Sequence, residues 1–300
     1  MEKEGEWMMH RKFGTHTRAV AGVIEALLMV ALVSIVISMI QLIYIPQVME
    51  QREAEHMDQV FNQFSLIKSM MDMQAMTQSS SPSSSMITLG SRELPYFITV
   101  KATGELSAKE DPGSMITFNP PLNPPPGFPP SGTIPLTSLQ YLADNSYFVD
   151  QSYILEGGGI IVKQVEGTPV MRVDPSISSV NNTNSITLHI DLPHVIATSG
   201  KNLTSGDGKC FIRTNYSNNR TYTDSIPFGG YIRIYSQYLN AWNESLHSIL
   251  GVYSTNGCLQ ITMVGTSPTG YIEIKPGSKD ILLQLNVIDI QAQIGPGWIK

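Results

Sequence analysis

The residues in this chain that could do chemistry are few and scattered. His189, Asp191 and His194 form the one cluster of metal-ligand types. His189 and Asp191 share a face if their segment is a regular strand, because alternate residues point the same way. With Pro193 inside so short a span no cage is preformed, so the cluster reads as a surface strand with incidental histidines and no metal is assigned. The chain has no Gly-X-Ser-X-Gly elbow and no His-Glu-X-X-His pair. Gly157-Gly158-Gly159 is not followed by Lys-Ser/Thr and reads as a turn, not a phosphate cradle. No catalytic set emerges, no cofactor is called for and no small-molecule substrate is evident, so the chain is not expected to be an enzyme.

Two other residue types carry covalent chemistry. Cys210 and Cys258 lie in separate predicted strands, and a bridge is the favoured reading over two buried thiols. Closing a loop of about 49 residues would stabilise the fold by roughly 4 kcal/mol in the chain-entropy model. Five Asn-X-Ser/Thr sequons begin at Asn181, Asn202, Asn215, Asn219 and Asn243. Each is a candidate N-glycosylation site if its part of the chain lies outside the cell. Four of them fall between Asn181 and Asn219, which points to one decorated face.

These residues must be positioned by a polar but weakly charged chain of 300 residues. Lys and Arg total 19 against 25 Asp and Glu, a net charge of −6. No basic cluster could neutralise a row of phosphates, so nucleic acid is excluded as a partner. Two cysteines exclude a disulfide-dense scaffold and a Cys-rich metal site.

Val20–Ile45 is an apolar run without Lys or Arg. Its 26 residues make a helix of roughly 39 Å, enough to cross a hydrocarbon core of about 30 Å. It is too long for a cleaved secretory segment. Lys3, Arg11, Lys12 and Arg18 precede it, whereas only Arg52 is basic in the twenty residues that follow. The positive-inside rule puts the N-terminus in the cytoplasm and the bulk outside. Glu25 stands inside the apolar run, where a carboxylate is costly unless it is paired or reaches the headgroups.

Helical rhythm continues past the run. Met57, Val60, Phe64, Ile67 and Met71 recur at 3-4-3-4 spacing, a narrow apolar seam that must be buried. The seam is expected to pack mainly on the protein's own head. Pro46 sits at the junction and should kink the helix. Gln78–Ser85 reads as a flexible linker, and Asn119–Pro135, with eight prolines, as an extended surface loop. Met86–Leu89 and Tyr96–Ala102 are short strand-like runs.

From about Leu136 the pattern is β. Strands are expected at Tyr147–Leu155, Gly159–Val165, Val170–Val173, Ser185–Asp191, Lys209–Thr214, Tyr231–Tyr235, Cys258–Val264, Tyr271–Lys275 and Ile281–Ile290. Ser236–Leu250 is the one helix-like interruption. The expected division is therefore a leader at 1–19, a transmembrane helix at 20–45, an amphipathic extension at 46–77, a Ser/Pro-rich linker with short strands at 78–135, and a β-rich domain at 136–300. The fold class is α+β: a long, partly transmembrane helix followed by a sandwich-like extracytoplasmic head.

The stretch Arg18-Ala19-Val20-Ala21-Gly22-Val23-Ile24-Glu25-Ala26-Leu27-Leu28-Met29-Val30-Ala31 resembles the N-terminus of archaeal type IV pilin-like surface proteins, which carry a class III signal peptide. The family usually has Ser-Pro where Ala21-Gly22 stands here. The resemblance implies removal of the leader by a membrane prepilin peptidase around Arg18, Ala19 and Val20, with the cut after Ala19 or after Gly22. It also implies extraction from the bilayer and packing of helices into a filament core with like subunits or other pilins. Glu25 would then neutralise the terminal amine of a neighbouring subunit; otherwise it snorkels to the cytoplasmic headgroups.

The expected function is structural: a pilin-like subunit, as filament component, minor pilin or adhesin, held in membrane lipid by its apolar helix. The alternative is a single-pass anchored binding domain that never assembles. An anchored extracellular hydrolase is the remaining rival and would need a nucleophile–base pair that the sequence does not offer.

Overall fold

The computed structural model describes residues 16–91, 102–126 and 129–295, with side chains from residue 21 on. Most of the expected leader, residues 1–15, and Tyr96–Lys101 of one expected strand lie outside the described residues. The chain divides into two compact units, at Gln51/Arg52.

The first unit is helical. α1 spans His16–Met39, a π-helical turn follows at Ile40–Tyr44, and α2 (Ile45–Thr77) begins. The π turn sits immediately before Pro46. Proline has no N–H to donate and its ring crowds the carbonyl one turn back, so the backbone widens there instead of breaking. The Ile45 N–H reaches back to the Ile40 carbonyl. The expected disturbance at Pro46 thus takes the form of a π bulge.

The second unit starts within α2 and contains the whole β head. Its strands are β1 (Ser83–Thr88), β2 (Thr103–Leu122), β3 (Ser131–Asp144), β4 (Gln151–Glu156), β5 (Gly159–Gln164), β6 (Val170–Val173), β7 (Ser176–Asn181), β8 (Ser185–Ala197), β9 (Leu203–Gly206), β10 (Lys209–Ile226), β11 (Tyr231–Tyr235), β12 (Leu259–Val264), β13 (Tyr271–Pro276) and β14 (Asp280–Ile294), with α3 (Leu239–Thr255) before β12. A five-stranded sheet has the order β1-β10-β14-β8-β7. A nine-stranded sheet has the order β12-β13-β11-β2-β3-β4-β5-β6, with β9 on β2. All pairs are antiparallel except β14–β8. The class is α+β, a long N-terminal helix followed by a β-rich head.

Two apolar cores fill the head. One lies between the sheets and under α3, around Trp242, Ile232, Leu188 and Leu285. The other lies under α2, around Phe64, Leu106, Tyr141 and Ile290. The longest strands serve both, and to do so they switch inward face partway. In β14, Ile281, Leu283, Leu285 and Val287 enter the first core, and Ile288, Ile290, Ala292 and Ile294 the second. Side chains alternate along a strand, so two successive buried residues mark the switch. The neighbouring β10 has a register break against β14 at Tyr216/Asn218, and β2, in the other sheet, has one against β3 at Glu110/Met115.

Several expectations are corrected here. The described part of 78–135 is more than a linker with short strands: the 20-residue β2 sits in the nine-stranded sheet, paired with β3, β9 and β11. Ser83–Ser85 belong to β1, preceded by a turn at Gln78, with φ of 49°, and a bend at Ser81. The proline-rich stretch is strand at both ends, since β2 runs to Leu122 and β3 begins at Ser131. Pro120 and Pro121 are tolerated where the β2–β3 register breaks between Thr117 and Leu122. β10 and β14 extend well beyond their expected ends, and β8 runs past Pro193 to Ala197. That is allowed because the last β7 partner of β8 is Asp191, so the missing N–H of Pro193 costs the β7 ladder nothing.

Candidate functional site

The element set apart from ordinary folding is the N-terminal helix. From Ala21 to Tyr44 every side chain is exposed. Twenty-four residues span about 36 Å, more than a bilayer's hydrocarbon thickness of about 30 Å. A helix apolar all round needs apolar surroundings. Its two serines are already satisfied: Ser34 Oγ donates to the Val30 carbonyl and Ser38 Oγ to the Ser34 carbonyl, both at 2.8 Å. Glu25 is exposed on this helix. Arg18, Ala19 and Val20 have helical backbone within α1.

In the second unit α2 is seated in the head by its seam. Met57, Val60, Phe64, Ile67 and Met71 are no more than 2% exposed. Phe64 packs at 6.4 Å from the Tyr141 ring and 6.0 Å from the Tyr153 ring. The buried phenols are not left unsatisfied: Tyr153 donates to the Met57 carbonyl at 2.8 Å and Tyr141 to the Leu89 carbonyl at 2.7 Å. Burial holds both hydroxyls well above the ordinary phenol range, so they remain donors at any working pH.

Polar hooks close the two ends of this seam. At one end the buried Glu53 carboxylate accepts from three successive backbone N–H groups, Ser146 at 3.2 Å and Tyr147 and Phe148 at 2.7 Å. Several donors on one carboxylate offset the cost of burying it. At the other end Gln74 donates to the Thr214 carbonyl at 2.9 Å and accepts from Thr214 Oγ1 at 2.9 Å. Between them Gln63 clasps Thr88 through both its amide atoms, and His56 Nε2 meets the Thr88 carbonyl at 3.0 Å. Burial lowers the His56 pKa, partly countered by that bond and by Glu53. Sequence reading missed these residues, although Glu53 and Gln74 continue the same 3-4 spacing as the seam.

The opposite side of α2 is bare. Asn62, Leu66, Ser69, Met73 and Met76 are all exposed and recur at 4-3-4-3 spacing, with Leu66, Met73 and Met76 at 58%, 67% and 86%. This second stripe was also missed, because the stronger seam draws the eye to one face.

A buried carboxyl anchors α3. Glu156 Oε1 accepts from Ser236 Oγ at 2.6 Å and from Trp242 Nε1 at 2.8 Å. Gly157 beside it has φ of +57°, and a Cβ there would meet the Trp242 ring at 2.8 Å, so only glycine fits. Desolvation raises the Glu156 pKa above the ordinary carboxyl value of 4.5, against the pull of Ser236 and Trp242. The folded chain therefore holds a proton that the unfolded chain releases, and stability falls as pH rises above that value. Glu156→Gln keeps an acceptor for both donors and cannot ionise. Its stability advantage over the parent should grow from acidic to neutral pH, read as a rising difference in urea midpoints; a pH-independent difference would contradict the assignment.

The remaining sequence candidates do not converge. His189 and Asp191 stand apart from His194; Asp191 accepts from Asn286 Nδ2 at 2.7 Å, and His194 Nδ1 meets Asp289 Oδ1 at 2.9 Å, where Arg220 also donates at 2.7 Å. Those two contacts hold the Asp289 carboxyl below its ordinary range against the effect of burial. Among the described residues no three His, Cys, Asp or Glu side chains are grouped to hold a metal ion. The expected Cys210–Cys258 bridge is absent: both thiols are free. Cys210 lies in the core under α2, paired across the ladder with Ile87, whereas Cys258 packs against the core under α3. Burial pushes the Cys210 thiol pKa up.

The five sequons are spread over different elements. Asn181 ends β7, Asn202 lies in the loop before β9, Asn215 and Asn219 lie within β10, and Asn243 lies within α3.

No protein-family model matches this chain, and no curated protein or solved structure matches it either.

Proposed function

We propose that this is a pilin-like structural protein of the cell surface, inserted through its N-terminal apolar helix, with the β head outside the cell. The observation that carries the reading is the division of labour on the helix. One stripe of α2 is spent on the protein's own head, while Leu66, Met73 and Met76 on the opposite stripe, and separately the α1 side chains from Ala21 on, are left bare. A bare α1 suits lipid or other helices. A simple anchor has no use for a second apolar stripe on the part of α2 that belongs to the head, so that stripe favours contacts with like subunits over the lone anchored binding domain. The basic flank ahead of α1 supports a cytoplasmic N-terminus. Prepilin peptidase as processing enzyme rests on the resemblance around Arg18, Ala19 and Val20.

Cross-linking in native membranes tests assembly. Met73→Cys, in a chain with Cys258→Ser so that buried Cys210 is the other thiol, should give covalent dimers with a bis-maleimide. A variant that reacts fully with a mono-maleimide yet stays monomeric with the cross-linker would favour the lone anchor.

A further inference from the structure

We infer that Asn181 and Asn202 carry N-linked glycans on the folded protein, and that Asn219 and Asn243 do not. The inference rests on the proposal that the head lies outside the cell. A sequon is used when its asparagine nitrogen and its hydroxyl residue can enter a transferase as an accessible, extended segment. The structure separates four of the five sequons on that criterion.

Asn181-Asn182-Thr183 is exposed at all three residues and forms the turn between β7 and β8, closed by the Asn182 N–H on the Ser185 carbonyl at 2.9 Å. Among the described residues the one hydrogen bond of the Asn181 side chain is its oxygen accepting from Lys279 Nζ at 2.7 Å. That contact leaves Nδ2 free to react. Asn202-Leu203-Thr204 leads from a loop into β9, with Asn202 and Leu203 exposed and Thr204 half-buried. The Asn202 backbone is fixed by its carbonyl accepting from the Ala108 N–H at 2.8 Å, which leaves the side chain outside.

Asn243-Glu244-Ser245 is the opposite case. It lies in α3, the Asn243 side-chain oxygen is buried, and Ser245 is 3% exposed with its hydroxyl donating to Asp174 Oδ1 at 2.6 Å. A glycan there would require the helix to unwind. Asn219 also has a buried side-chain oxygen, opposite Ile288 of the core under α2, and the hydroxyl of its Thr221 donates to Asn286 Oδ1 at 3.0 Å.

The chemistry needs a polyprenyl-phosphate-linked oligosaccharide as donor. Asparagine Nδ2 attacks the anomeric carbon, a C–N bond forms, the C–O bond to the phosphate breaks, the nitrogen gives up one proton to a base, and the lipid phosphate leaves. Nothing is oxidised or reduced.

The test is peptide mass mapping of the full chain from its native membranes, with protease shaving of intact cells run in parallel. The expected result is sugar-modified peptides at Asn181 and Asn202, unmodified peptides at Asn219 and Asn243, and a stepwise gain in gel mobility for Asn181→Gln and Asn202→Gln but none for Asn243→Gln. A shaved, hence external, head with unmodified Asn181 and Asn202 overturns the inference while leaving the surface reading standing. Glycan on Asn243 or Asn219 overturns it as well. A head that resists shaving in intact cells but is cleaved in lysed ones overturns the surface reading on which it rests.

Discussion

Phe64→Ala should lower the stability of the head by about 3–5 kcal/mol, the range for removing a fully buried aromatic ring. Phe64 is wholly buried and touches both Tyr141 and Tyr153, whose own positions are fixed by hydrogen bonds to Leu89 and Met57. The neighbours are held from several sides, so the cavity has little room to collapse. Leu66, two residues on, is the internal control. It is 58% exposed on the bare stripe, and Leu66→Ala should shift stability by no more than about 0.5 kcal/mol. Urea titration of the two variants against the parent reads the difference. Equal effects would mean that α2 is not seated as described.

A chain beginning at residue 86 should not fold cooperatively, whereas one beginning at Arg52 should. Starting at 86 removes all of α2 and half of β1. Five seam side chains at roughly 1.5–3 kcal/mol each amount to about 7–15 kcal/mol of burial. That equals the whole stability of an ordinary domain, about 5–15 kcal/mol. The loss also bares Ile87, Leu106, Tyr141, Tyr153 and Ile290, which now face the helix. Broad, probe-dependent unfolding with dye binding is expected for 86–300, and one sharp transition for 52–300. A monomeric and fully cooperative 86–300 would show that the seam belongs to other subunits.

The helix was legible because its signals are local. An uninterrupted apolar run and a 3-4 repeat need only the residues themselves, and Met57 to Met71 are buried where that rhythm placed them. Short strands with simple alternation were legible for the same reason: β6 and β11 have the bounds read from the sequence. The full extent of the long strands was not. β14 turns one parity inward up to Val287 and the other from Ile288, so its alternation breaks in the middle although the strand does not. β2 hides Asp111-Pro112-Gly113 and two further prolines inside a strand that tolerates them at register breaks. Local turn chemistry argued for a loop there, and pairing with three other strands prevailed. Glu53 reads as one more charge on a solvated helix until the backbone of Ser146–Phe148 is brought to it from more than ninety residues away. The cysteines failed differently: spacing cannot tell that two strands face separate cores.

N-terminal mass spectrometry of protein from native membranes decides whether the proposed pilin-like surface protein is processed. The expected result is a mature chain beginning at Val20, with the apolar helix retained. Intact Met1, or loss of the whole apolar run through Ile45, would contradict it.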